Sequence, residues 1–150
     1  MAHSYIANRI HVIFSTKSRA DLIRPDIEQR LWKFITSVAL ERKIQVLAVG
    51  GVENHIHTLI APPSDMPLAK AVQTIKGVSS KWINDEFFPD REFGWQQGYA
   101  AFGVSHSLIP KTVEYIRNQR EHHKKRRYED EIIEFLEKNG VEYKTEDVFG

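Results

Sequence analysis

The stretch IQVLAVGGVENHIHTLIAPP, residues 44–63, holds two strand-like runs with almost nothing between them. Residues 44–51, IQVLAVGG, read as a strand that ends in a glycine pair; residues 55–63, HIHTLIAPP, read as another that ends in two prolines. A link this short cannot carry a crossover, so the two runs form an antiparallel hairpin. Upstream, residues 4–17 alternate Ile10, Val12 and Phe14 with His11 and Ile13 and read as another strand. Between it and the hairpin, Pro25 can open a helix, and Ile27, Leu31, Phe34, Ile35 and Val38 recur at helical spacing to about Lys43.

Downstream, residues 67–88 read as a second long helix that starts at a proline. The turn-rich PDREFGWQQG then leads to a short strand at 99–105. A third helix starts near Pro110 and runs through a basic segment. A last amphipathic helix, 128–139, stops at Asn139–Gly140. The order β-α-β-β-α-β predicts an α+β, ferredoxin-like antiparallel sheet with helices on one face and further helices appended at the C-terminus. That scaffold assigns no function by itself.

The chain's 150 residues, 41% of them hydrophobic, suit one domain spanning 1–150 with a sizeable core. The absence of cysteine excludes disulfides, thiolate metal sites and a cysteine nucleophile, and fits a reducing cytosol. No signal peptide or membrane-spanning run is visible, so the expected location is the cytoplasm, with no membrane partner. Net charge is only +1, but residues 117–127, RNQREHHKKRR, concentrate six Lys and Arg. Such a segment is either an anion-binding face, with a phosphate backbone the obvious partner, or a solvated helix end.

His55 and His57 stand one residue apart on a strand and so point the same way. Two such imidazoles can chelate a divalent ion, or can simply be two polar residues sharing a sheet face. On the third helix, Ile109, Val113 and Ile116 make the stripe that docks on the core. Tyr115, Asn118, Gln119 and His122 share nearly the opposite face. Tyr115 there is either an aromatic at a helix–helix or dimer contact or a residue with chemistry. A positioned phenolate can attack phosphorus, and two imidazoles with an amide oxygen would hold a cation against the phosphate. That mixed ligation suits Mg²⁺ or Mn²⁺.

His-hydrophobic-His in ENHIHTLI and YIRNQ at 115–119 resemble the two signatures of the single-tyrosine HUH transposases of the insertion-sequence 200/605 group, with REP-associated tyrosine transposases as relatives. HVIFSTKSR, IKGVSSKW, WQQGYAAFGVS, NQREHHKK and NGVEY extend the resemblance over almost the whole chain. It implies a DNA transposase that cuts and rejoins single-stranded DNA at element ends. Tyr115 would form a 5′-phosphotyrosine link, and His55, His57 and Gln119 would bind the metal. It also implies hairpin-ended single-stranded DNA as partner and a homodimer able to complete its active site in trans.

Lys17, Arg19, Lys76, Lys81, Lys124 and Lys125 are the expected DNA-binding surface, while His11, His106 and His3 receive no role. A domesticated module that holds a hairpin without cutting it is the alternative, and the intact Tyr115, His55, His57 and Gln119 set argues against it. Two-histidine phosphoesterases need paired His-x-Ser/Thr motifs, whereas here Thr58 and Ser107 directly follow histidines. An RRM-type RNA binder needs a Gly-Phe-x-Phe strand pattern that is missing.

Overall fold

The computed structural model describes residues 3–149. The ends of the expected 1–150 domain, residues 1, 2 and 150, lie outside the described residues. Four strands form one sheet: β1 (Ile10–Ser15), β2 (Gln45–Val52), β3 (His55–Ala61) and β4 (Ala100–Gly103). Their order is β2-β3-β1-β4 and every pairing is antiparallel. Residues 44–63 form the expected hairpin, with a register shift between Val46 and Ala48. Helices α1 (Glu28–Glu41) and α2 (Leu68–Phe87) supply the two crossovers. This is the ferredoxin-like arrangement expected from the element order.

Alternation along the strands sorts the two faces. Val12, Phe14, Ile56 and Ile60 point to α1 and α2, where they pack with Leu31, Ile35, Val72, Ile75 and Ile83. Burying each such aliphatic side chain contributes about 1.5–3 kcal/mol before the entropy of ordering the chain. The other face carries His11, Ile13, Ser15, His55, His57 and Leu59, a mixed polar and apolar surface that needs its own cover. That cover is α3 (Ile109–Arg117), α4 (Gln119–His122) and α5 (Tyr128–Lys138). Ile116 of α3 packs on Ala48 and Leu59, and Tyr128, Ile132 and Leu136 of α5 pack on Ile13 and Phe102. The sheet is thus the middle of three layers.

Several boundaries differ from expectation for local reasons. β1 ends at Ser15 rather than 17, because Ser18 and Arg19 take left-handed φ of 57° and 56° and turn the chain away. Pro25 sits in a turn before α1, closed by Ile27 N–H donating to the Arg24 carbonyl at 3.0 Å, and the α-helix begins at Glu28. The third helix is not continuous. Asn118, at φ −103° and ψ 27°, breaks it into α3 and α4. α5 stops where expected, with Gly140 at φ +66°. A short helix, α6 (Thr145–Val148), was not foreseen. Among the described residues, no helix is long and apolar enough to cross a membrane.

Candidate active site

β3 sends His55 and His57 to the same face, and the β1 register brings His11 beside them; the first two are fully buried and His11 is 3% exposed. Each signature imidazole has its outer nitrogen held. His55 Nδ1 donates to Asn54 Oδ1 at 2.8 Å, and His57 Nδ1 lies 2.8 Å from His11 Nε2. With Nδ1 donating to Asn54, His55 turns an unprotonated Nε2 inward. His11 therefore has a role that its sequence position did not suggest: it orients His57.

The helical layer closes over those nitrogens. Gln119, fully buried, places Oε1 3.3 Å from His55 Nε2. One turn on, His123 Nε2 lies 3.1 Å from the same Oε1. Glu131, fully buried on α5, sets Oε1 3.0 Å from His57 Nε2, 3.1 Å from His123 Nε2 and 3.5 Å from His55 Nε2. Its other oxygen, Oε2, accepts a hydrogen bond from the Tyr115 hydroxyl. Arg126 also donates to that hydroxyl, at 3.1 Å, and the Tyr115 ring stacks on His122 with centroids 4.4 Å apart.

The structure thus brings Tyr115, His55, His57 and Gln119 together, all from one chain. Tyr115 and Gln119 do not face away from the core as the helical stripe suggested. The break at Asn118 and the docking of α5 turn both into a crevice on the sheet. Sequence reading missed Glu131, His123, Asn54 and Arg126 as members of the site. The ligand atoms of His55, His57, His123 and Glu131 all lie within 4.8 Å of one another, a group able to hold a metal ion. The chemistry of the set fits: imidazole nitrogens, an amide oxygen and a carboxylate oxygen, all of them metal-ligand types, converge on one point.

Burial dominates the proton affinities. It pulls His55 down to about 4 and, with His57 beside it, pulls His11 down to about 3, so both are neutral at pH 7. Burial alone would raise the Glu131 carboxyl, but His57 and the other imidazoles hold it well below the usual carboxylate range. Burial and the Glu131 carboxylate together push the Tyr115 phenol above its ordinary value.

An acid-stability prediction follows for metal-free protein. His55 and His11 bind protons at about 6.5 when unfolded and only near 4 and 3 when folded. Stability present at neutral pH is therefore lost as pH falls below about 6.5. His55 alone accounts for about 3 kcal/mol by pH 4. Glu131 adds its own loss only below its ordinary value of 4.5. Thermal melts in EDTA from pH 7 to pH 4 should show a steadily falling midpoint; a flat profile down to pH 4.5 would contradict the neutral buried imidazoles.

A groove of about 670 Å³ opens from Tyr115 between α3 and α5, lined by His11, His122, Phe135, Lys111, Lys125 and Arg126 among others. Of the six cations expected to bind DNA, Lys125 lines it. Lys124 pairs with Glu121 at 2.9 Å and Lys81 with Asp85 at 2.7 Å. Arg19 donates to the Phe149 carbonyl at 3.0 Å and lies 3.7 Å from Glu129, and Lys17 is exposed beside Gly94.

Lys76 is engaged internally. Its Nζ donates to the carbonyls of Gln96 and Gly98 at 2.7 Å each and of Gln97 at 3.3 Å, and burial lowers it to about 8. Gln96 in turn holds β1, its Oε1 accepting from Ser15 N–H at 2.6 Å. Lys76→Met should therefore destabilise the protein by about 1–3 kcal/mol and speed amide exchange at Gln96 and Ser15. Unchanged exchange there would remove the bracing role.

Residues 4–119 match the sequence profile of the family described as "Transposase IS200 like". The transposases for insertion sequence element IS200 of Salmonella typhimurium and Salmonella typhi are each 24% identical over 130 residues, covering 83% of this chain and 84% of theirs. Among solved structures, a candidate transposase from Deinococcus radiodurans R1 superposes with a TM-score of 0.62 at 20% identity, over 79% of this chain and 96% of that one. A REP-associated tyrosine transposase bound to a REP hairpin superposes with a TM-score of 0.55 at 16% identity, over 77% of this chain and 70% of that one. At those identities the two structures speak to the fold alone.

Proposed function

Because the chain belongs to the IS200-like transposase family, we propose that it cuts and rejoins single-stranded DNA at insertion-sequence ends with Tyr115 as nucleophile. The observation that carries this reading is the position of the Tyr115 hydroxyl. Tyr115 lines the groove and its hydroxyl is hydrogen-bonded to Glu131, whose other oxygen lies 3.0 Å from His57 Nε2. Nucleophile and cation site are thus one carboxylate apart, the proximity that in-line attack on a phosphodiester requires.

In the proposed step the Tyr115 oxygen attacks the scissile phosphorus and gives up its proton to solvent water, while Glu131 Oε2, as the acceptor of its hydrogen bond, orients the phenol. The bond from phosphorus to the 3′ oxygen breaks. The products are a 5′-phosphotyrosine and a 3′ oxygen that takes its proton from water. Arg126, 3.1 Å from the phenolic oxygen, stabilises the developing phenolate and the phosphate that replaces it. His55, His57 and Gln119 would hold a divalent ion, Mg²⁺ or Mn²⁺, which would supply neutralisation of charge on the phosphate and on the leaving oxygen. Lys111 and Lys125 place positive charge along the groove for the strand's backbone. The covalent link conserves the phosphodiester's energy, so an incoming 3′-OH reverses the step without ATP. A homodimer, as the family resemblance implies, would carry two such sites.

The test is covalent trapping on labelled single-stranded oligonucleotides carrying the hairpins and flanks of the element's own ends. A denaturant-resistant adduct on the 5′ end of the downstream fragment is expected with Mg²⁺ or Mn²⁺, and none with EDTA or with duplex DNA. Hairpin binding without an adduct under either metal would replace this reading with that of a hairpin-binding module.

A further inference from the structure

The family match ends at residue 119, yet two of the groups that converge on the signature histidines come after it. We propose that the following segment supplies two additional ligands to the metal, His123 and Glu131, so that the site is complete only when α5 is docked on the sheet. This rests on the reading of His55 and His57 as metal ligands.

Geometry is the first support. Donor atoms bound to one ion at about 2.1 Å lie about 3.0–3.4 Å from their neighbours in octahedral or tetrahedral sites. The neighbour distances here run from 3.0 to 3.5 Å: Glu131 Oε1 to the three Nε2 atoms, and Gln119 Oε1 to those of His55 and His123. Charge is the second. Glu131 is fully buried, and among the described residues the one Arg or Lys nitrogen paired with it is that of Arg126, 3.9 Å from the oxygen turned toward Tyr115. Among those residues no Arg or Lys is paired with Oε1. A buried carboxylate oxygen among imidazoles and an amide oxygen is stabilised best by a divalent ion.

Position in the sequence is the third. Glu131 stands inside the apolar stripe of α5, between Tyr128 and the buried Ile132 and Leu136. A carboxylate buried in such a stripe requires a partner. Three imidazoles, one carboxylate and one amide form a nitrogen-rich set, which favours Mn²⁺ over Mg²⁺.

Calorimetric titration of the full-length, metal-stripped chain with Mn²⁺ and, separately, Mg²⁺ tests this without any DNA. Glu131→Gln and His123→Ala should each weaken Mn²⁺ binding 10- to 100-fold, whereas Glu137→Gln on the outer face of the same helix should not. Mg²⁺ should bind wild type at least 10-fold more weakly than Mn²⁺. Should Glu131→Gln fail to fold, pulsed electron–nuclear resonance of the wild-type Mn²⁺ complex counts the coordinated imidazoles. Three are expected, and two would overturn the proposal. Mn²⁺ affinity within twofold of wild type in both variants would also overturn it, as would no Mn²⁺ binding at all. The trapping assay separates the two readings. Adduct formation with metal affinity indifferent to Glu131 and His123 sinks only the added ligands; ligand-dependent Mn²⁺ binding without an adduct sinks only the proposed reaction.

Discussion

Tyr115→Phe should remove the proposed covalent adduct, lowering its rate of formation by about 10⁴-fold or more, while Mn²⁺ affinity should stay within a few-fold of wild type. The substitution deletes one oxygen and leaves the ring on His122 and the helix on the sheet. Its structural cost is the loss of the hydrogen bonds to Glu131 and Arg126, about 1–3 kcal/mol of stability. The rival phenol is Tyr128, whose ring lies 4.4 Å from that of His55. Tyr128 is only 7% exposed, however, and its hydroxyl is directed at Gln96 Oε1, 3.4 Å away and off the groove. Burial and the Glu131 carboxylate raise its proton affinity too. Peptide mapping of the trapped species should place DNA on Tyr115. An adduct that forms at an undiminished rate in Tyr115→Phe would move the nucleophile to Tyr128 or elsewhere.

The hairpin of residues 44–63 and the flanking strands were legible because their signals are local: period-two alternation, a glycine pair and a short link. The pair His55 and His57, and the spacing of Tyr115 and Gln119, were legible for the same reason. What stayed hidden depends on contacts between distant segments. Nothing near His11 indicates that its Nε2 will meet His57, 46 residues away; only strand register does that. Glu131 did leave a trace, as the one carboxylate in an otherwise apolar stripe on α5. That trace names no partner, because it requires knowing that α5 covers the histidine face. Lys76 shows the converse. The sequence reading places it on the DNA-binding surface, and the fold commits it to three carbonyls of a loop about 20 residues on. Helix continuity through Asn118 was misread because no proline or glycine marks the break.

Gly50→Ala is the substitution elsewhere in the fold with the largest expected effect. A Cβ at Gly50 would stand 2.2 Å from the backbone carbonyl oxygen of Ile116 and 3.1 Å from its carbon. No rotamer change relieves a contact with backbone, so α3 must lift from β2. Ile116 is fully buried against Ala48 and Leu59, and lifting it opens that cluster. The expected loss is about 3 kcal/mol or more, at the upper end of overpacking costs. Tyr115 precedes Ile116, so the same displacement carries its hydroxyl away from Glu131, and an error of about 1 Å costs roughly 10²-fold in reaction rate. Gly77, mid-way along α2 with nothing within 4 Å of its would-be Cβ, is the internal control. Gly77→Ala should stabilise by about 0.5–1 kcal/mol through helix propensity alone. Denaturant unfolding of both variants, with adduct formation measured in parallel, therefore separates the close approach of α3 from the general effect of adding a methyl group. A Gly50→Ala protein within 1 kcal/mol of wild type and fully active would mean that α3 is not held on β2 as described, and that Tyr115 reaches its site by another route.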